Sequence, residues 1–178
     1  DDKQFFNAKP YGEAYKSNPL YISAYFQDKM EFANLIINAG LRFDHRHDDF
    51  VYRGTPRSAA TDVWSPRLGI SFPISEKSVM HFNYGFYYQF PRLSYYYENL
   101  IGNFTTGLPR AGNPFLKPEE DVMYELGVDH VIGEDLRLDL TAFFKDIRDL
   151  VTTRDGGLQG TNAITVFDNG DYGSAKGF

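Results

Sequence analysis

Between Met80 and Phe90 every second residue is apolar or aromatic: Met80, Phe82, Tyr84, Phe86, Tyr88 and Phe90. The residues between them, His81, Asn83, Gly85, Tyr87 and Gln89, are largely polar or small. Successive side chains of a β-strand point to opposite faces, so this spacing writes one apolar face and one polar face. Two segments repeat it closely. Leu136, Leu138, Leu140, Ala142 and Phe144 alternate with Arg137, Asp139, Thr141 and Phe143. Val122, Tyr124, Leu126 and Val128 alternate with Met123, Glu125, Gly127 and Asp129. Weaker copies set Leu35, Ile37, Ala39, Leu41 and Phe43 against Asn38, Gly40, Arg42 and Asp44, and Leu68, Ile70, Phe72 and Ile74 against Arg67, Gly69 and Ser71. In the first copy Ile22, Ala24 and Phe26 oppose Ser23, Tyr25 and Gln27. The pattern predicts strands near 21–32, 35–47, 65–74, 79–90, 121–132, 136–151 and 163–169, all antiparallel to their neighbours. Ser174–Phe178 opens an eighth, and no helix longer than two turns is expected.

The links carry an independent signal. Ala33-Asn34, Ser75-Glu76-Lys77-Ser78, Gly133-Glu134-Asp135 and Gly170-Asp171-Tyr172 read as tight turns. The link Arg46 to Ser65 is long and polar, Pro91 to Glu120 is the longest, and Thr152 to Asn162 is long. Short and long alternate along the chain. A transmembrane barrel has short periplasmic turns and longer extracellular loops. The competing reading, a soluble sandwich, has no reason to gather every long loop at one end. The expected fold class is all-β: an antiparallel transmembrane β-barrel segment of about seven to eight strands, with the barrel incomplete in this chain.

Composition narrows the function. No run approaches the roughly 18 apolar residues of a membrane helix, so a span is made by strands. The 16 Phe and 13 Tyr, against one Trp, suit strands and interfacial belts. Without Cys there is no disulfide framework and no thiolate metal site. A net charge of −6 argues against nucleic acid as a partner. The Gly156-Gly157 and Gly160 cluster precedes no helix and reads as loop rather than a nucleotide site.

At the second long link the chain reads Asn113-Pro114-Phe115-Leu116-Lys117-Pro118-Glu119-Glu120, followed by Tyr124-Glu125-Leu126-Gly127. This resembles the "NPxLKPE…YExG" element of TonB-dependent receptor barrels, carried here by Asn113, Pro114, Leu116, Lys117, Pro118, Glu119, Tyr124, Glu125 and Gly127. Tyr25-Phe26-Gln27-Asp28, Asn38-Ala39-Gly40-Leu41-Arg42-Phe43-Asp44, Ser65-Pro66-Arg67-Leu68-Gly69 and Thr141-Ala142-Phe143-Phe144-Lys145-Asp146-Ile147 are similar to successive segments of that family, in the family's order. So is Asn169-Gly170-Asp171-Tyr172-Gly173-Ser174-Ala175-Lys176-Gly177-Phe178. The flavour is that of the Oar-like and carboxypeptidase-regulatory-like receptors. The resemblance implies an outer-membrane receptor of a Gram-negative bacterium, a barrel of 22 strands in the whole family member, an N-terminal plug and energy from TonB. This chain carries no plug-like region and no TonB box. It is therefore expected to be an internal stretch, residues 1–20 the tail of an extracellular loop and residues 21–178 consecutive barrel strands.

Three segments are candidate sites. His45-Arg46-His47-Asp48-Asp49 has metal-binding residue types, but no third fixed ligand can be named beside His45 and His47, and a solvated loop is the default. The two carboxylates in Asn113–Glu120 suggest acid–base work, yet the prolines argue for a rigid turn. The ligand-contact candidates are Arg92, Tyr95, Tyr96, Tyr97, Phe104 and Arg110 in the longest loop, where aromatic area and cationic donors coincide. The alternative for the tyrosines is an aromatic girdle at the outer leaflet. No catalytic residue, metal site or cofactor is predicted.

Three functions compete. The resemblance implies TonB-dependent uptake of a scarce ligand, a siderophore–metal chelate or an oligomeric nutrient. Its partners would be outer-membrane lipid, an extracellular small ligand or peptide, and TonB through a region N-terminal to this chain. A passive porin or adhesin-like barrel is the second. The third is an outer-membrane hydrolase, disfavoured because His45, His47, His81 and His130 are scattered without a nucleophile partner.

Overall fold

The computed structural model describes residues 17–52, 54–100, 110–159 and 162–178. Among the described residues there is a single sheet and one short helix. The strands are β1 (Leu20–Phe32), β2 (Leu35–Tyr52), β3 (Thr55–Ser75), β4 (Ser78–Gln89), β5 (Arg110–Ala111), β6 (Glu119–Ile132), β7 (Leu136–Gln159) and β8 (Asn162–Gly177), with helix α1 at Leu93–Tyr97. Their order across the sheet is β1-β2-β3-β4-β6-β7-β8-β5. Among the described residues β1 pairs only with β2, so the sheet is open.

The alternation in the sequence becomes the two faces of this sheet. Leu68, Tyr84, Tyr124 and Phe144 are direct cross-strand neighbours on four successive strands. The rings of Tyr84 and Tyr124 lie 4.9 Å apart, within the range at which aromatic pairs attract. Leu138 and Leu140 are 54% and 59% exposed, an aliphatic surface that water cannot satisfy. The register of the opposite face joins Gln27 to Gly40, Asn38 to Gly69 and Asn83 to Glu125.

The strands run further than the alternation predicted. The link Arg46 to Ser65 is not a long loop: β2 continues to Tyr52 and β3 begins at Thr55, paired residue by residue. The reading of His45–Asp49 as solvated loop is overturned with it, because Arg46, Asp48 and Phe50 are buried on the polar face. The link Thr152 to Asn162 is likewise a strand extension, stitched by pairs such as Thr153 with Phe167 and by the Arg154–Asp168 ion pair at 2.7 Å.

Gly170-Asp171-Tyr172 is no turn. β8 runs through it, and the register shifts around Leu150 absorb the irregularity as a bulge. The glycine and aspartate that suggest a turn are also the residues a bulge tolerates. The expectation that every neighbour is antiparallel fails at one place: the two-residue β5 pairs in parallel with Thr165 and Val166 of β8. All pairs of long strands are antiparallel. Helix α1, five residues long, respects the two-turn limit.

Candidate ligand-contact loop

Residues 90–100 and 112–118, between β4 and β6, fold down onto the polar face and make the buried cluster among the described residues. Its members are Phe50 of β2, Tyr96 and Tyr97 of α1, Leu100, Leu116 and Phe167 of β8. Burying side chains of this size contributes roughly 1.5–3 kcal/mol each, so the loop is held as firmly as a small core.

One anchor is on β2. Arg46 and Asp48 are each 1% exposed, two positions apart on one face of the strand. The Tyr97 hydroxyl lies between them: it accepts from Arg46 Nη2 at 2.6 Å and donates to Asp48 Oδ2. Asp48 also accepts from Ser17 Oγ at 2.9 Å. The Arg46 guanidinium carbon sits 3.8 Å above the centre of the Tyr96 ring, a cation–π contact strengthened by desolvation. Buried charges persist only when paired and hydrogen-bonded, and here the loop completes the pairing. Tyr96 is fully buried, and its hydroxyl has no hydrogen-bond partner among the described residues. Burial pushes that hydroxyl well above the usual tyrosine range, with the Arg46 charge offsetting part of the rise.

The other anchor is on β8. Asn113 Nδ2 donates to the Phe167 carbonyl at 3.0 Å, while its Oδ1 accepts from the Phe115 amide at 3.0 Å and shapes the turn. The Asn169 side chain pairs with both backbone groups of Lys117, at 2.8 and 3.1 Å, and donates to the Asp149 carbonyl at 2.7 Å. Pro114, Leu116 and Pro118 are buried, and Glu119 Oε1 accepts from the Val151 amide at 3.2 Å. Across the loop Gly112 packs so closely on α1 that a Cβ would stand 2.7 Å from Tyr96 O. The Asn113–Glu119 element thus clamps the loop to β7 and β8. Further along, Tyr124 joins the outer aromatic row, Glu125 accepts from Asn83 at 3.3 Å, and Gly127 lies under the His81 ring.

The six ligand-contact candidates therefore divide. Tyr96 and Tyr97 are buried against the polar face. Tyr95 is half-buried on Phe167, with ring centres 4.6 Å apart. Arg92 is exposed at the start of α1, and Arg110 is half-buried, 3.6 Å from Glu98. Phe104 lies outside the described residues. Nothing in the sequence reading linked Arg46, Asp48, Phe167 or Asn169 to this loop. The available signal was that Arg46 and Asp48 continue the polar alternation of Arg42 and Asp44.

No group of three or more His, Asp or Glu residues able to hold a metal occurs among the described residues. His45 pairs with Asp62 at 2.6 Å, and His47 lies 3.5 Å from Asp49.

Comparison with known proteins follows the same line. The family described as "TonB dependent receptor-like, beta-barrel" matches residues 3–178. Comparison with curated proteins returns no match. Among solved structures the chain is similar to the FrpB iron transporter from Neisseria meningitidis, at 18% identity and a TM-score of 0.63, over 89% of this chain and 23% of that one. It is similar to the Serratia marcescens hemophore receptor HasR, solved with its hemophore HasA and heme, at 16% identity and a TM-score of 0.64, over 90% of this chain and 31% of that one. The ferric enterobactin receptor PfeA from Pseudomonas aeruginosa aligns at 16% identity and a TM-score of 0.59, over 91% of this chain and 32% of that one. The chain thus spans about a quarter to a third of these structures. The family and these neighbours are transport receptors, not enzymes, and the family's members are outer-membrane β-barrels of Gram-negative bacteria. By family match, strand topology and the anchored loop, this chain belongs to the TonB-dependent receptor β-barrels.

Proposed function

We propose that this chain forms wall and an extracellular loop of a receptor that imports a metal chelate across the outer membrane with energy from TonB. In this reading the aliphatic face meets lipid, the polar face lines the interior, and residues 21–178 are consecutive barrel strands. The observation that carries it is the loop fixed on the polar face by Tyr96 and Tyr97, leaving Arg92, Tyr95 and Arg110 at its accessible side. Arg92 is exposed, and Arg110 lies 5.9 Å from the Phe167 ring that Tyr95 meets, cationic and aromatic groups that suit an anionic, partly aromatic chelate. Phe104 belongs to the same proposed contact set. The ligands of the structural neighbours, iron, heme with a hemophore and ferric enterobactin, support this ligand class.

The test is uptake by cells expressing the full-length receptor, offered ferric enterobactin, heme and cupric ion in turn, with and without TonB. Import of one of them that stops without TonB is expected. Entry that continues without TonB would favour a passive porin instead.

A further inference from the structure

On the apolar face, Ala39, Leu68, Tyr84, Tyr124, Phe144 and Lys176 are direct partners on neighbouring strands from β2 to β8. Going from this row toward the loop cluster, each strand stays apolar on that face for a different length. The first charged or imidazole side chain is His45 on β2 and Asp62 on β3, each six positions above the row. It is Glu120 on β6, four above, Asp146 on β7, two above, and Lys176 on β8, in the row itself. On β1, Leu20 faces His47 and is still apolar. Asp28 of β1 is the one carboxylate below this line on the same face among the described residues.

The line therefore drops by six residues across the five strand spacings from β2 to β8. At about 3.3 Å per residue and 4.8 Å between strands, that is a slope of roughly 40°. Strands of transmembrane barrels tilt by roughly 35–45°, and a level plane cuts such a sheet along a line of that slope. The lower edge of the apolar band drops with it. Leu35 opens the band four positions below the row on β2, and Leu136 opens it eight below on β7, so both edges fall by four over the same strands. The chemistry changes sharply at the upper edge. The rings of Phe43 and Trp64, 4.7 Å apart, lie just beneath it, and amphipathic rings favour a lipid–water interface. Just above it His45 meets Asp62 at 2.6 Å, Tyr88 donates to Glu120 at 2.8 Å, and Arg148 meets Asp146 at 2.6 Å.

We propose, resting on the barrel-wall reading above, that the headgroup layer of the outer leaflet meets this chain along that sloping line. Phe50 lies five positions above His45 on β2, and Thr153, the partner of Phe167, lies seven above Asp146 on β7. With each residue of a tilted strand rising about 2.5 Å, the buried cluster and the ligand-contact residues on it stand roughly 15 Å clear of the lipid. A bulky ligand can therefore reach them without touching the membrane.

The test uses the full-length receptor in phosphatidylcholine vesicles, with a nitroxide on one introduced cysteine at a time. This chain has no cysteine of its own to compete. Labels replace Phe43 and His45 on β2, and Phe144 and Asp146 on β7. Collisions with oxygen, which concentrates in hydrocarbon, are compared with collisions with a water-soluble nickel chelate. The preference should invert from oxygen to nickel between Phe43 and His45, and again between Phe144 and Asp146. Val122 and Glu120 on β6 carry the same comparison should a label on β2 or β7 prevent folding. Inversion at one and the same cross-strand row on both strands, or labels at His45 and Asp146 that stay closed to nickel, overturns the proposal. A label at Leu140 open to nickel would instead overturn the barrel-wall reading.

Discussion

The Tyr97 hydroxyl on α1 donates to the buried carboxylate of Asp48, 49 positions earlier in the chain. Beside it, Tyr96 is equally buried but its hydroxyl has no partner among the described residues. The two tyrosines should respond oppositely to loss of their oxygen. Tyr97→Phe leaves Arg46 and Asp48 each short of a hydrogen bond and should cost about 1–3 kcal/mol. Tyr96→Phe removes an unpaired polar group and should be neutral or slightly stabilising. Hydrogen exchange of the loop amides in the full-length receptor measures both.

Alkaline pH should loosen the same loop. An ordinary tyrosine loses its proton near pH 10, as Tyr96 does once the loop is released. In the folded loop burial holds its hydroxyl above that value. The neutral form is thus favoured by folding, and its contribution is fully present below about pH 10 and is lost as pH rises from there toward the folded value. Loop protection should fall over that window in the wild type and fall less in Tyr96→Phe.

The two faces of β7 should tolerate charge unequally. Leu140 is central in the outward run Leu136–Phe144, and Asp139 points the other way. Leu140→Arg should cost roughly 2–4 kcal/mol if that run crosses the bilayer, whereas Asp139→Ala should cost little. Unfolding of the full-length receptor in lipid vesicles measures the difference. Equal sensitivity would contradict the assignment of faces.

Asn169 holds the β8 end of the loop through three hydrogen bonds, to both backbone groups of Lys117 and to the Asp149 carbonyl. Asn169→Ala should destabilise the loop by roughly 1–3 kcal/mol while leaving the barrel strands intact. Limited proteolysis should then cut near Lys117 faster, with the global melting temperature barely moved.

The middle of each long strand was legible because one face carries apolar residues at every second position. The upper strand extensions were not. Beyond Phe43 the apolar face of β2 gives way to His45 and His47, while Arg46, Asp48 and Phe50 are buried on the polar face by a loop from far along the chain. That burial is a tertiary effect, which the alternation continuing through Arg46 and Asp48 does not reveal. The turn expected at Gly170-Asp171-Tyr172 failed for a different reason, since turns and bulges draw on the same residues. At the candidate site the sequence located the loop and its clamp but did not divide the tyrosines into anchors and accessible groups. The division depends on Arg46 and Phe167, which only the fold brings beneath them.

The most direct test of the account separates contact from anchorage within one loop. In the full-length receptor Arg92, Tyr95 and Arg110 are replaced together by Ala. Binding of ferric enterobactin, heme and cupric ion is measured alongside the melting temperature. The account predicts binding weakened about tenfold or more, as expected for lost interface anchors, with the melting temperature essentially unchanged. Undiminished binding, or a fall in melting temperature as large as that of Tyr97→Phe, would contradict it.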